Sequence, residues 1–140
     1  MALLVLVACA ARVGAQEKPA APAMVVGTFD DDYGGHHVID GKVWTMGKKT
    51  VFHLVQFDVA NNVVFTHNAP ENEHDGNTYS RIDYVKLEGM APWEWGYCMT
   101  TWNSKTFEEA MAAKSANRAD LMKGCGGHPF SRMKRSPKAP

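Results

Sequence analysis

The chain has 140 residues, 15 basic and 15 acidic side chains and a formal net charge of zero. That length supports one domain around one core, and the charge balance argues against a nucleic-acid binder, which would present a basic face. Its longest apolar run falls well short of the roughly 20 residues that a membrane-spanning helix needs.

In chain order, Ala2-Leu3-Leu4-Val5-Leu6-Val7-Ala8 is an apolar run, and Val13-Gly14-Ala15 after it has the small-residue spacing of a signal-peptidase site. This predicts a signal peptide over 1–15 and a secreted or cell-surface protein whose mature chain starts near Gln16. No Lys or Arg precedes the run. Leu6-Val7-Ala8-Cys9 also has the form of a lipobox, which would put a lipid anchor on Cys9, and a terminus that is no signal at all is the third reading. Residues 16–23, rich in Ala and Pro, read as a flexible spacer. A single β-rich domain is expected over 24–133, and 134–140, with Lys134, Arg135 and Lys138 among its prolines, as a basic disordered tail.

Within the domain, Met24 to Phe29 predicts a short strand, and Asp30 to Gly35 a turn dense in Asp and Gly. Asp40-Gly41 between His37-Val38-Ile39 and Lys42-Val43-Trp44-Thr45 is a hairpin signal. Thr50 to Val59 alternates as a strand, with Val51, His53, Val55 and Phe57 on one side and Phe52, Leu54, Gln56 and Asp58 on the other. Asn61-Asn62 turns it into Val63 to His67. Tyr79 to Leu87 and a segment from Trp93 to Trp102 complete six or seven strands. The period then changes: Thr106 and Glu109 fit a capping box, Asn117 to Asp120 offers a second N-cap, and Gly124 a left-handed C-cap. Two short helices are therefore expected near the C-terminus. Closely spaced strands joined by tight turns predict a mainly β fold, a meandering antiparallel sheet curled into a half-barrel or small barrel. A β-sandwich is the alternative.

With Cys9 in the leader, Cys98 and Cys125 form an even pair, and in an exported chain an even pair implies one disulfide. Neither has a second Cys or His at the short spacing zinc ligands use.

Candidate chemistry is sparse. His36 and His37 should point to opposite strand faces. If the strands around Asn61-Asn62 pair, His53 falls opposite residue 67 or 68, so His53 and His67 could form half of a zinc or copper site. Asp30-Asp31-Asp32 and the loop from Glu71 to Asn77 offer oxygen ligands of the kind calcium uses, but in no EF-hand spacing. Asp83 and Glu94 could act as paired carboxylates. A same-face Arg81–Asp83 ion pair is the structural alternative for the first. Trp93, Trp95, Tyr97 and Trp102 crowd one segment, with Trp44 and Tyr84 elsewhere. Facing inward they are core. At a cavity mouth they would make a flat apolar platform for sugars or small amphiphiles.

Several stretches resemble a family of small exported domains of uncharacterised function. They are Gly27-Thr28-Phe29 with Asp31 and Tyr33-Gly34, His37 with Trp44-Thr45, Phe52-His53 with Gln56, Tyr79-Ser80-Arg81 with Asp83-Tyr84, Tyr97-Cys98, and Asp120-Leu121 with Gly124-Cys125-Gly126-Gly127 and Pro129-Phe130. The resemblance implies an exported, disulfide-bearing domain and names no activity. These features together favour a non-enzymatic binding or structural module for a small molecule, glycan or protein, with no cofactor implied. The rivals are a small secreted hydrolase using His53 or His67 with Asp83 or Glu94, and a metal-binding protein using His53 and His67.

Overall fold

The computed structural model describes residues 20–137. The leader, Cys9 and the first residues of the expected spacer lie outside them. Eight antiparallel strands, each paired with its neighbour in sequence, close into a barrel: β1 (Gly27–Asp31), β2 (His36–Ile39), β3 (Val43–Met46), β4 (Thr50–Asp58), β5 (Val63–Asn68), β6 (Tyr79–Lys86), β7 (Trp95–Ser104) and β8 (Ser131–Arg135). The fold is thus a closed barrel and not a sandwich. Closure leaves neither end strand with an open edge.

β8 is the element missing from the sequence reading. Lys134 and Arg135, expected in a disordered tail, pair with Asp30 and Phe29 of β1, while Ser131 to Met133 pair with β7. Alternation hides in this segment because Met133 is its one large apolar residue. The guanidinium of Arg135 lies over the Phe29 ring at 4.5 Å and donates to the Val26 carbonyl at 2.8 Å. Gly27, at φ 142°, leaves room for that guanidinium, which any Cβ there would strike. A 3-10 turn at Ala23–Val25 precedes β1, and Ala21 and Met24 pack against the core, so residues 21–23 are part of the domain.

Inward-facing residues alternate along each strand and fill the barrel: Phe29, Ile39, Trp44, Phe52, Phe57, Val64, Ile82, Tyr84, Trp95 and Met133. On β4 the alternation breaks. The register to β5 slips between Leu54 and Gln56, so Val55 is an extra residue and Phe57 turns inward with Phe52 and Leu54. A bulge of this kind moves every later side chain to the opposite face, which is why the strict two-residue pattern expected for Phe57 fails.

Outside the barrel, the one α-helix among the described residues, α1 (Phe107–Ala112), lies on β5, β6 and β7. Thr106 caps it as expected, its hydroxyl accepting from the Glu109 N–H at 3.2 Å. Phe107 and Ala110 bury against Val63, Phe65 and Tyr79. The second expected helix is a series of turns. Asp120 does act as a cap, its Oδ1 accepting from the Met122 and Lys123 N–H groups, but the coil stops after one turn. It has no apolar stripe to bury, and tertiary packing is what sustains short helices. Gly124 has no left-handed φ; it is needed because a Cβ would collide with the carbonyls of Asn117 and Asp120.

Candidate functional site

The segment 113–128 runs as a strap over the outer face of β6 and β7, and three sets of bonds fasten it. Cys98 on β7 is joined to Cys125 by a disulfide, with Cα atoms 5.5 Å apart. Arg81 on β6 donates to the Ala113 carbonyl at 2.8 Å and to the Ser115 hydroxyl at 2.6 Å. Arg118, on the strap itself, reaches back to the carbonyls of Tyr84 at 2.8 Å and Asn62 at 2.7 Å.

Asp83 is the hub of this fastening. It is 0% exposed. Its carboxylate takes both Nε and Nη2 of Arg81, Nη2 of Arg118 at 2.8 Å, and the hydroxyl of Thr100. The expected Arg81–Asp83 pair is therefore present and extended by a second arginine. A buried carboxylate with every oxygen occupied is a structural group: it has no lone pair to offer a substrate.

A second polar network lies inside the barrel. His37, 2% exposed, faces Asp31 across the β1–β2 turn, with Nε2 and Oδ2 2.7 Å apart. The Trp44 indole N–H donates to His37 Nδ1 at 3.1 Å. Because an indole nitrogen can only donate, Nδ1 must accept, and His37 is the neutral tautomer with its proton on Nε2. Burial holds the His37 pKa below the usual histidine value, against the opposing pull of Asp31. Burial alone would raise the Asp31 carboxyl, but hydrogen bonds from His37 and from the Gly35 and Tyr33 amides outweigh it and hold the carboxyl low. The pair is thus a carboxylate bonded to a neutral imidazole. Tyr97 packs its ring 5.7 Å from that of His37, and burial pushes its phenol up to about 12. A third cluster centres on Asn68, which accepts from Thr66 and Ser80 and donates to the Trp102 carbonyl at 2.8 Å. Nothing in the sequence pattern announces the Asp31–His37–Trp44 and Asn68 networks. Their members are scattered over separate strands, and no local spacing ties them together.

The expected histidine pair exists in register: His53 of β4 lies directly opposite His67 of β5. His53 is exposed, and His67 rests against the Tyr79 ring at 4.9 Å. Among the described residues no group of three or more His, Cys, Asp or Glu side chains is gathered to hold a metal. The hydrolase residues are not brought together. Asp83 pairs with Val63 and His67 with Tyr79, a separation of four residues or about 13 Å along the strand. Glu94 lies before β7, with its carboxylate 3.6 Å from Arg135.

The expected aromatics separate into core and surface. Trp44, Tyr84 and Trp95 are buried in the barrel, and Tyr97 is packed against them. Trp95 Nε1 and the Tyr84 hydroxyl are buried with no hydrogen-bond partner among the described residues. One face of Trp93 is taken by the cations of Arg132 at 5.0 Å and Lys134 at 5.2 Å. Trp102 differs. It is 51% exposed and stands at the wall of a groove of about 760 Å³ between β7 and the strap. Met99, Thr100 and the Cys98–Cys125 bridge line one part of the groove, and Lys114, Asn117 and Lys123 another.

No protein-family model, curated protein or solved structure matches the chain. Among the described residues no helix is long and apolar enough to cross a membrane.

Proposed function

We propose that this protein is an exported, non-enzymatic binding module whose working surface is the groove between β7 and the strap. One observation carries the reading: of the aromatics expected to form a platform, Trp102 alone combines high exposure with a place on a groove wall. A volume of about 760 Å³ falls within the range of small-molecule sites, about 300–1,000 Å³. The occupied lone pairs of His37 and Asp83 support a binding role over a catalytic one. The disulfide supports export, because such bonds persist in oxidising compartments. The apolar leader and the likeness to small exported domains point the same way.

The test is an NMR titration of the indole N–H signals with neutral and acidic sugars and short amphiphiles. The Trp102 signal should move while those of Trp44 and Trp95 stay fixed, and Trp102→Ala should abolish binding without loss of fold. Silence at Trp102 with every compound at millimolar concentration would overturn the reading. Export is tested separately by mass spectrometry of the mature N-terminus, where a start at Gln16 supports cleavage and a lipidated Cys9 supports an anchor.

A further inference from the structure

The groove beside Trp102 has a charge bias. Lys114 and Lys123 line it, and both are exposed. Asp120 is the one carboxylate among its lining residues, and its Oδ1 is already bonded to the Met122 and Lys123 amides at 3.1 and 3.0 Å. Behind the wall, Thr100 contacts Asp83, but that carboxylate is matched by two guanidiniums and is fully buried. The lining therefore carries two ammonium groups against one carboxylate, a positive balance. Such a concavity concentrates anions, since low-dielectric walls focus the field of the charges on them.

The larger part of the wall is apolar, supplied by Trp102, Met99, Ala113, Ala116 and the Cys98–Cys125 bridge. Trp102 offers a π face, whose negative quadrupole attracts the polarised C–H bonds of a ring laid upon it. Gly124, Gly126 and Gly127 also line the groove, as does Asn117 with its side-chain amide. These peptide groups and the side-chain amide can hydrogen-bond the hydroxyls of a sugar ring, and an acyl chain would leave them unpaired.

We propose that the ligand of this groove is an acidic saccharide, with one ring stacked on Trp102 and its carboxylate or sulfate paired with Lys114 and Lys123. The proposal rests on the binding-module reading above.

The experiment titrates the mature protein with trigalacturonate, a sulfated disaccharide and the neutral cellotriose, reading the Trp102 indole signal at low and high salt. At least one acidic saccharide should bind about tenfold or more tightly than cellotriose, a difference of about 1.4 kcal/mol. Its affinity should fall as salt is raised, as screening requires, and should fall again in Lys114→Gln/Lys123→Gln. Those lysines are exposed, so the double variant should keep the wild-type melting temperature. Cellotriose binding as tightly as the acidic sugars, or affinity unchanged in the double variant, would overturn the inference and leave the binding-module reading standing. Silence of Trp102 with all three saccharides would also overturn it. The binding-module reading would fall too only if the amphiphiles left Trp102 unmoved as well.

Discussion

His37 and Asp31 share a 2.7 Å hydrogen bond inside the barrel, and the pKa of each is held below its ordinary value. Two opposite charges would raise the histidine. A lowered histidine means that burial dominates and that the imidazole stays neutral when the protein is folded.

The consequence is a defined pH dependence of stability. As pH falls below about 6.5, the unfolded chain takes up a proton at this histidine that the folded chain refuses. Stability therefore drops with acid through that window. Asp31 acts in the same direction at lower pH: its folded carboxyl resists protonation, so stability is lost further as pH falls through the ordinary carboxylate range below about 4. Urea denaturation from pH 8 to about pH 3 should show this decline, and the part near about pH 6 should be flattened in His37→Gln. An unchanged slope in the variant would show that His37 does not carry it.

Tyr84 yields an unusual expectation for a buried aromatic. Its hydroxyl is buried with no hydrogen-bond partner among the described residues, and such a group costs about 1–3 kcal/mol. Tyr84→Phe removes the oxygen and keeps the ring. The variant should be as stable as the parent or more so, by up to about 1 kcal/mol in urea denaturation. A loss greater than about 1 kcal/mol would mean that the oxygen is bonded in the folded protein.

Asp83 should be among the least tolerant positions. Asp83→Ala leaves the guanidiniums of Arg81 and Arg118 without their buried carboxylate, and breaking such a pair from one side costs about 3–5 kcal/mol. Arg118→Met should cost less, because Arg81 still neutralises the carboxylate and the methionine covers part of the same surface. The ranking is read from chemical denaturation of the two variants.

The disulfide should matter to the strap more than to the barrel. Its 27-residue separation corresponds to about 3–4 kcal/mol in the chain-entropy account. Cys98→Ser/Cys125→Ser should lose stability of that order while keeping a β-type circular dichroism spectrum. Amide exchange should quicken first over 113–128. Uniform quickening over all strands would show instead that the bridge holds the barrel itself.

Much of the architecture was legible in the strand periodicity and turn residues. Asp40-Gly41 joins β2 to β3 with Asp40 Oδ1 bonded to the amides of Lys42 and Val43, and the His53–His67 register followed from a hairpin centred near residue 60. The Cys98–Cys125 bridge followed from counting cysteines. Periodicity could not reveal the bulge at Val55, because one inserted residue changes facing without changing composition. Nor could it reveal β8, where Arg132, Lys134 and Arg135 occupy strand positions through aromatic and ion-pair contacts that exist only once the barrel is closed. The aromatic platform was half legible. Residue type named the tryptophans, but only tertiary packing decided that Trp95 is core and Trp102 surface.

The pairing of β1 with β8 also sets when folding can finish. The side chain of Asp32 accepts from Arg132, 100 positions later, through both backbone amide and guanidinium. Local hairpins can zip as they are made, but the final seam must wait for nearly the entire polypeptide. Such distant joining is slow, so until its last strand is delivered the polypeptide is an open sheet whose first strand presents a bare edge.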